Sequence, residues 1–104
     1  MIRNAALPLS LLFAVGFSQG AAAADAAKGE TMAKRWCASC HVVVADQKIG
    51  TAQAPPFSGI AKKPGFDEAK LAFYLLVPHP RMPDMNLSRA EAADLAAYIA
   101  RQGK

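Results

Sequence analysis

Residues 36–41 read WCASCH, and this hexapeptide decides how the rest of the chain is interpreted. The thiols of Cys37 and Cys40 are separated by two residues, and His41 follows the second thiol directly. Three kinds of site use such a pattern: a redox-active dithiol, part of a zinc site, or the attachment point of a covalent haem. The length of the chain, its destination and its other residues discriminate between these alternatives.

Residues 1–24 have the three parts of a secretory signal peptide. Arg3 gives a short positive start, residues 7–17 form an apolar run, and residues 21–24 are four alanines of the kind that a signal peptidase accepts. The apolar run is shorter than the ~20 residues that span a bilayer. We therefore expect cleavage near Ala24 and a periplasmic location, with a retained membrane anchor as the alternative.

Residues 25–104 form the predicted mature domain. Removing 24 of the 104 residues leaves 80. A domain of this size buries little apolar surface and usually needs a covalent cross-link or a bound metal to be stable. Without Arg3, eleven Lys and Arg stand against eight Asp and Glu, which gives a net charge of +3. The basic residues are scattered, so the composition argues against nucleic-acid binding. A modest positive field still favours docking on an acidic partner.

The mature segment predicts an all-α domain with three main helices joined by long loops. Helices are expected from residue 25 to the cysteine motif, over residues 66–77 and within residues 87–104, with one short turn at 57–61. The proline-rich segments 54–57 and 77–83 are predicted to be loops. No segment alternates as a half-buried strand does, and long loops in so small a domain suggest that they enclose something.

The helix ends carry recognisable capping residues. Asp67 is placed to cap the second main helix, and Ser88 with Glu91 forms the S-x-x-E pattern of a capping box. A helical period in the last segment predicts a buried stripe of Leu95, Tyr98 and Ile99.

The alternatives for Cys37, Cys40 and His41 are not equally supported. A redox dithiol of the thioredoxin type requires a preceding strand and a βαβ frame, which the pattern lacks. A zinc site needs four ligands, and His79 is the only further histidine. A disulfide between the two cysteines would close a loop too short to stabilise the domain. Covalent haem fits best, because thiols three residues apart point the same way on a helical turn.

These residues resemble the small single-haem class I cytochromes c, and the resemblance covers nearly the whole mature chain. The matching features are Gly29 eight residues before Cys37, Pro55 in APPF, Met82-Pro83, Leu87-Ser88 and Ala97-Tyr98-Ile99. In such cytochromes the glycine lets the first helix cross the last at close range, and an aromatic residue at the Tyr98 position packs at that crossing. Two departures are Ala33, where a larger apolar residue is common, and the second methionine, Met85.

The resemblance implies one haem c, attached by thioethers at Cys37 and Cys40. It implies that His41 binds the iron through Nε2 and that the carbonyl of Pro55 accepts a hydrogen bond from the far ring nitrogen, with Pro56 as the second candidate for the acceptor. Met82 is the expected second axial ligand on the family pattern, with Met85 as the alternative and His79 as a third. Trp36 and Tyr74 either line the haem pocket or pack as ordinary core residues.

The function implied is a periplasmic one-electron carrier and not an enzyme. Its redox donor and acceptor would dock at an exposed haem edge, without stable membrane insertion after cleavage. One alternative is a haem-bearing subunit of a larger oxidoreductase, which requires a permanent apolar contact face. Another is a haem protein with an open iron that binds a gas or peroxide.

Overall fold

The computed structural model describes residues 6, 8, 10, 11, 23–51, 53–77 and 81–104. Most of the predicted signal peptide lies outside the described residues, as does His79 with its two flanking prolines. Every regular element in the described ranges is helical, as the all-α prediction requires. No helix within these ranges is long and apolar enough to cross a membrane.

Four α-helices follow one another along the chain. They are α1 (Ala26–Met32), α2 (Phe57–Ala61), α3 (Glu68–Leu76) and α4 (Arg89–Arg101). The three main helices of the sequence prediction correspond to α1, α3 and α4, and the short turn corresponds to α2.

The first helix departs from the expected regular run into the cysteine motif. After α1 the backbone widens into a π-helical turn, Ala33–Cys37. Its defining bond is the one that the N–H of Ala38 donates to the carbonyl of Ala33 at 3.1 Å. One extra residue in the turn rotates the side chains that follow, which places Trp36 and Cys37 at the edge of a cleft. Single π-helical turns of this kind are frequent at functional sites.

The helix N-termini are capped by the residues that the sequence indicates. The side chain of Asp67 accepts a hydrogen bond from the N–H of Lys70 at 3.0 Å. At α4, Ser88 Oγ accepts from the N–H of Glu91 at 3.1 Å, and Glu91 Oε1 accepts from the N–H of Ser88 at 2.9 Å. The predicted capping box is therefore complete, and it fixes where α4 begins.

Helix α4 is the centre of the core, because α1, α2 and α3 all pack against it. The predicted stripe is confirmed, since Leu95, Tyr98 and Ile99 are all buried. The other buried hydrophobic residues in the described ranges are Ala26, Ala33, Val43, Phe57, Ala92 and Ala96. Many of these side chains are small, and the largest fully buried ones are Leu95 and Val43. The protein atoms alone thus provide a small core.

The crossing of α1 and α4 is set by Gly29. A Cβ at this position would collide with the carbonyl oxygen of Asp94 and lie 2.6 Å from its carbonyl carbon and 2.9 Å from Tyr98 Cβ. Only a glycine permits the two helix backbones to approach this closely. Ala33, one turn further on, is completely buried and contributes little volume at this end of the core.

Tyr98 joins α4 to the loop that follows the cysteine motif. Its ring is buried, and its hydroxyl donates a hydrogen bond to the carbonyl of Val43 at 2.5 Å. Burial raises the pKa of Tyr98 above its ordinary value, and the negative charge of Glu30 raises it further. The phenol therefore remains a neutral donor at physiological pH.

Candidate functional site

One cleft brings together the side chains that the sequence singled out. Cys37, Cys40 and His41 line it together with Met82 and Met85. Its cavity of about 270 Å³ is far larger than the packing voids of ordinary protein interiors. Much of the remaining lining is apolar and comes from Phe57, Ile60, Leu71, Leu75, Leu95 and Ile99. The arrangement suits a ligand with large apolar faces.

The two cysteines are free thiols on a tight turn. The N–H groups of Cys40 and His41 both donate to the carbonyl of Cys37, at 3.1 and 2.8 Å. Burial raises the pKa of Cys37 to about 11, and the neighbouring Cys40 adds to the shift. A redox dithiol needs a thiolate with a lowered pKa. The environment of Cys37 therefore argues against the dithiol interpretation.

His41 is held by a hydrogen bond on one side of its ring. Its Nδ1 lies 2.6 Å from the carbonyl oxygen of Pro55. A carbonyl can only accept, so Nδ1 carries the hydrogen, and in the neutral ring Nε2 then keeps the lone pair. The ring of Phe57 lies 5.4 Å from the imidazole, tilted by 47°. The imidazole is thus presented in the tautomer that binds a metal through Nε2.

The two methionines come from the segment between α3 and α4. Both Met82 and Met85 are partly buried and line the cleft. Directly after Met85 the chain turns at Asn86, whose φ of 53° lies in the left-handed region. The side chain of Asp84 supports this turn by accepting from the N–H of Asn86 at 2.8 Å. The structure therefore brings both thioethers to the same cavity.

Trp36 and Tyr74, for which the sequence left two roles open, line the cleft and do not belong to the buried core. Their exposed fractions are 39% and 52%. The guanidinium of Arg35 lies 5.9 Å from the centre of the Trp36 ring, which places a cation close to the cleft. Lys34 instead forms an ion pair with Glu30 at 2.8 Å, so its charge is partly compensated.

Gln47 is a residue of this region that no sequence pattern indicated. Its side chain makes four hydrogen bonds to the backbone around His41. A single glutamine in an irregular loop leaves no periodic pattern, so nothing in the sequence distinguishes it from a solvated surface residue.

Comparison with known proteins is consistent with this geometry. The family model for cytochrome c matches residues 26–102, which include the whole cleft. The chain belongs to the cytochrome c family. This cytochrome c is 53% identical over 92 residues to the cytochrome c-552 of Bradyrhizobium diazoefficiens, covering 88% of each chain. No solved structure gives a significant match. The protein is accordingly an electron carrier and not an enzyme, and its cofactor is covalent haem c.

The residues of the cleft fit that cofactor. Cys37 and Cys40 offer two thiols for covalent bonds to the haem. The imidazole of His41 has a free Nε2, and the methionines of the cleft offer sulfur atoms to the iron. The apolar walls of the cleft suit the faces of a porphyrin. A bound porphyrin would supply the core volume that the small buried side chains of α1 and α4 do not provide.

Proposed function

We propose that this cytochrome c is an exported, soluble carrier of single electrons whose haem iron is held by His41 and Met82. The thioethers form at Cys37 and Cys40. The observation that carries the proposal is one apolar cleft lined by both thiols, by an imidazole with its tautomer fixed, and by methionine sulfur.

Pro55 is proposed as the acceptor that orients the axial histidine. Its carbonyl lies 2.6 Å from Nδ1 of His41, which is hydrogen-bond distance. A metal-bound histidine whose other nitrogen donates a hydrogen bond is a more basic ligand. Pro55 therefore fixes the direction of the ring and strengthens its donation to iron.

Met82 is proposed as the second axial ligand, with Met85 as the alternative. Met82 precedes Pro83, so its backbone is extended and its side chain is free to project from the loop. The family pattern also places the ligand directly before a proline. Met85 lines the same cleft, and ordinary packing accounts for it, because methionine fills irregular gaps well.

When bound, the haem supplies a one-electron Fe(III)/Fe(II) couple, and an axial thioether raises its potential. The residues of this chain hold the ligands in place and exclude water. With His41 and Met82 both holding the iron, no position would remain for a substrate. Phe57 and the leucines of the cleft keep its surroundings apolar.

The electron is proposed to pass at the edge of the haem nearest Cys40. This cysteine is exposed, as are Trp36 and Pro55. An open cleft mouth of this kind allows a brief, small contact with a redox partner. The net charge of +3 for residues 25–104 favours a redox partner with an acidic surface. An alternative is that the protein is a permanent subunit of a larger oxidoreductase. The exposed Phe73 would then be buried in the interface with the other subunits.

Export with cleavage after Ala24 is supported by a contact at the start of the folded domain. The backbone N–H of Asp25 donates to Asp94 Oδ1 at 2.7 Å, and the side chain of Asp25 caps α1. Cleavage at this position would turn the Asp25 amide into an α-ammonium group beside a carboxylate. The resulting ion pair would join the N-terminus of α1 to α4.

Asp94→Asn is expected to destabilise the mature form more than a form extended by Ala23 and Ala24, in which the Asp25 nitrogen is a neutral amide. The excess loss in the free energy of unfolding should be about 0.2–1 kcal/mol, typical of an exposed ion pair. It should shrink at high salt. Urea titrations of the wild type and of Asp94→Asn, each in the mature and the extended form, measure this difference. The exposed Asp46→Asn is the control, with the same effect in both forms. Equal losses for Asp94→Asn would contradict the ion pair.

Carbon monoxide distinguishes the carrier from a haem protein with an open iron. We expect the reduced protein to bind carbon monoxide slowly and weakly at neutral pH, because a thioether must leave the iron first. Removing that thioether by Met82→Ala should accelerate binding by at least about tenfold, which is a barrier lower by about 1.4 kcal/mol. Stopped-flow absorbance measures the rate. Rapid binding by the wild type would refute the carrier proposal and favour the gas- or peroxide-binding alternative.

A further inference from the structure

The loop that follows the cysteine motif holds both partners of the His41–Pro55 hydrogen bond, yet the described residues between Val42 and Pro56 form no helix. The direction of the His41 ring therefore depends on how this irregular backbone is fixed. Packing of regular elements alone does not fix it.

Four consecutive carbonyl groups, those of residues 40–43, each accept a hydrogen bond from a different part of the chain. Three of the donors are Thr51 N–H to Cys40 at 2.8 Å, Phe57 N–H to Val42 at 3.0 Å and Tyr98 O–H to Val43 at 2.5 Å. The fourth, to the carbonyl of His41 itself, comes from the side chain of Gln47 at 2.8 Å. The backbone on both sides of the imidazole is thus tied to the loop, to α2 and to α4.

Besides its bond to the carbonyl of His41, the side chain of Gln47 makes three further hydrogen bonds to the backbone of this region. Its Nε2 also donates to the carbonyls of Ala38 at 3.1 Å and Ile49 at 2.8 Å, and its Oε1 accepts from the N–H of Val43 at 2.9 Å. A primary amide has two hydrogens, so the three carbonyls share them and the side chain has no spare donor. The partners include Ala38, between the two cysteines, and the backbone of the histidine.

We infer that Gln47 is a positioning residue for the axial histidine. It clamps the turn that carries the thiols to the loop that carries Pro55, so that Nδ1–H of His41 remains on the Pro55 carbonyl and Nε2 points into the cleft. This inference rests on the proposed function, because it takes His41 as the iron ligand. Gln47 itself does not reach the iron and acts through the backbone of His41.

Two substitutions test whether Gln47 positions His41 through its hydrogen bonds or only fills space in the loop. Gln47→Met keeps length and volume and removes all four hydrogen bonds. Gln47→Glu keeps an acceptor for the N–H of Val43 but turns an oxygen towards three carbonyls, so its effect should be larger. A weaker Nδ1–H bond makes the imidazole less basic and stabilises ferric iron less. The reduction equilibrium should therefore shift towards the ferrous form by about tenfold, which is about 59 mV for one electron.

The measurements are the reduction potential and the hydrogen exchange of His41 Nδ1–H in the reduced protein by NMR. Exchange should accelerate in both variants. Gln102→Met is the matched control, because Gln102 makes one long bond, 3.4 Å, to the carbonyl of Tyr98 at the far end of α4. It should leave the potential and the exchange at wild-type values. Should neither Gln47 variant fold, slow exchange of the wild-type Gln47 amide hydrogens relative to those of exposed Gln53 would support the clamp.

The outcomes separate the two proposals. Variants with a lower Tm but wild-type potential and exchange would show that Gln47 only stabilises the loop, which overturns the positioning role. Wild-type Gln47 amide hydrogens that exchange as fast as those of Gln53 would overturn it as well. A wild type whose NMR spectrum shows no imidazole on the iron would instead refute the proposed function.

Discussion

Replacing both Cys37 and Cys40 by serine is expected to leave a chain that neither retains haem nor folds cooperatively. The largest fully buried side chains are Leu95 and Val43, and the apolar residues of the cleft would face an empty cavity. Without the haem as its centre, the domain should lose about 5 kcal/mol or more, which is the whole stability of many small domains. Haem staining after denaturing electrophoresis, together with circular dichroism in urea, measures both effects.

A control for this variant lies between the two cysteines. Ser39 is exposed, and its hydroxyl makes one weak contact, 3.9 Å, with Cys40 Sγ. Ser39→Ala should therefore attach haem and unfold like the wild type. A double-serine protein with no haem and near-normal stability would contradict the account of the haem as the core of the domain.

Gly29→Ala is expected to have the second largest effect. The new Cβ would collide with the carbonyl oxygen of Asp94 and lie 2.9 Å from Tyr98 Cβ. The nearest obstacle is backbone, so α1 and α4 must separate along their whole contact. Overpacking of this kind costs about 3 kcal/mol, which outweighs the gain of less than about 1 kcal/mol from the helix propensity of alanine. The free energy of unfolding in urea measures the balance.

Gly59→Ala is the matched control, since it adds the same methyl group to a helical glycine. The nearest atoms to its Cβ would be Pro56 Cγ at 3.3 Å and Pro56 Cδ at 3.6 Å, both on the N-cap residue of the same helix. The change in the free energy of unfolding should stay within about 1 kcal/mol. Similar losses in both variants would show that the close approach at Gly29 is not what holds α1 against α4.

Much of the fold could be predicted because the decisive residues act locally. The helix starts were predicted from the capping residues Asp67, Ser88 and Glu91. The buried face of α4 was predicted from the helical spacing of Leu95, Tyr98 and Ile99. The candidate site was also accessible, since C-x-x-C-H is a contiguous pattern. The resemblance singled out Pro55, whose carbonyl lies at hydrogen-bond distance from His41, while its role towards an iron ligand stays a prediction.

The features that the sequence did not reveal depend on contacts between distant or irregular segments. The π-helical turn Ala33–Cys37 departs from the usual helical spacing, so side chains four residues apart, such as Met32 and Trp36, no longer face the same way. Met32 packs against the core, whereas Trp36 lies at the cleft. Gln47 acts on backbone groups, which no residue pattern encodes.

The choice between the two methionines was open for a related reason. Met82 and Met85 are three residues apart in one loop, and both reach the cleft. Spacing alone therefore cannot rank them, and the preference for Met82 depends on the following proline and on the family pattern.

The absorption spectra of the oxidised Met82→Ala and Met85→Ala proteins, each produced with a haem-attachment system, show which methionine binds the iron. The wild type should show the weak far-red band that sulfur on ferric iron gives in this family. We expect Met82→Ala to lose this band and Met85→Ala to keep it. A band that persists in Met82→Ala and disappears in Met85→Ala would contradict the assignment of Met82, and a wild type without the band would contradict His/Met ligation itself.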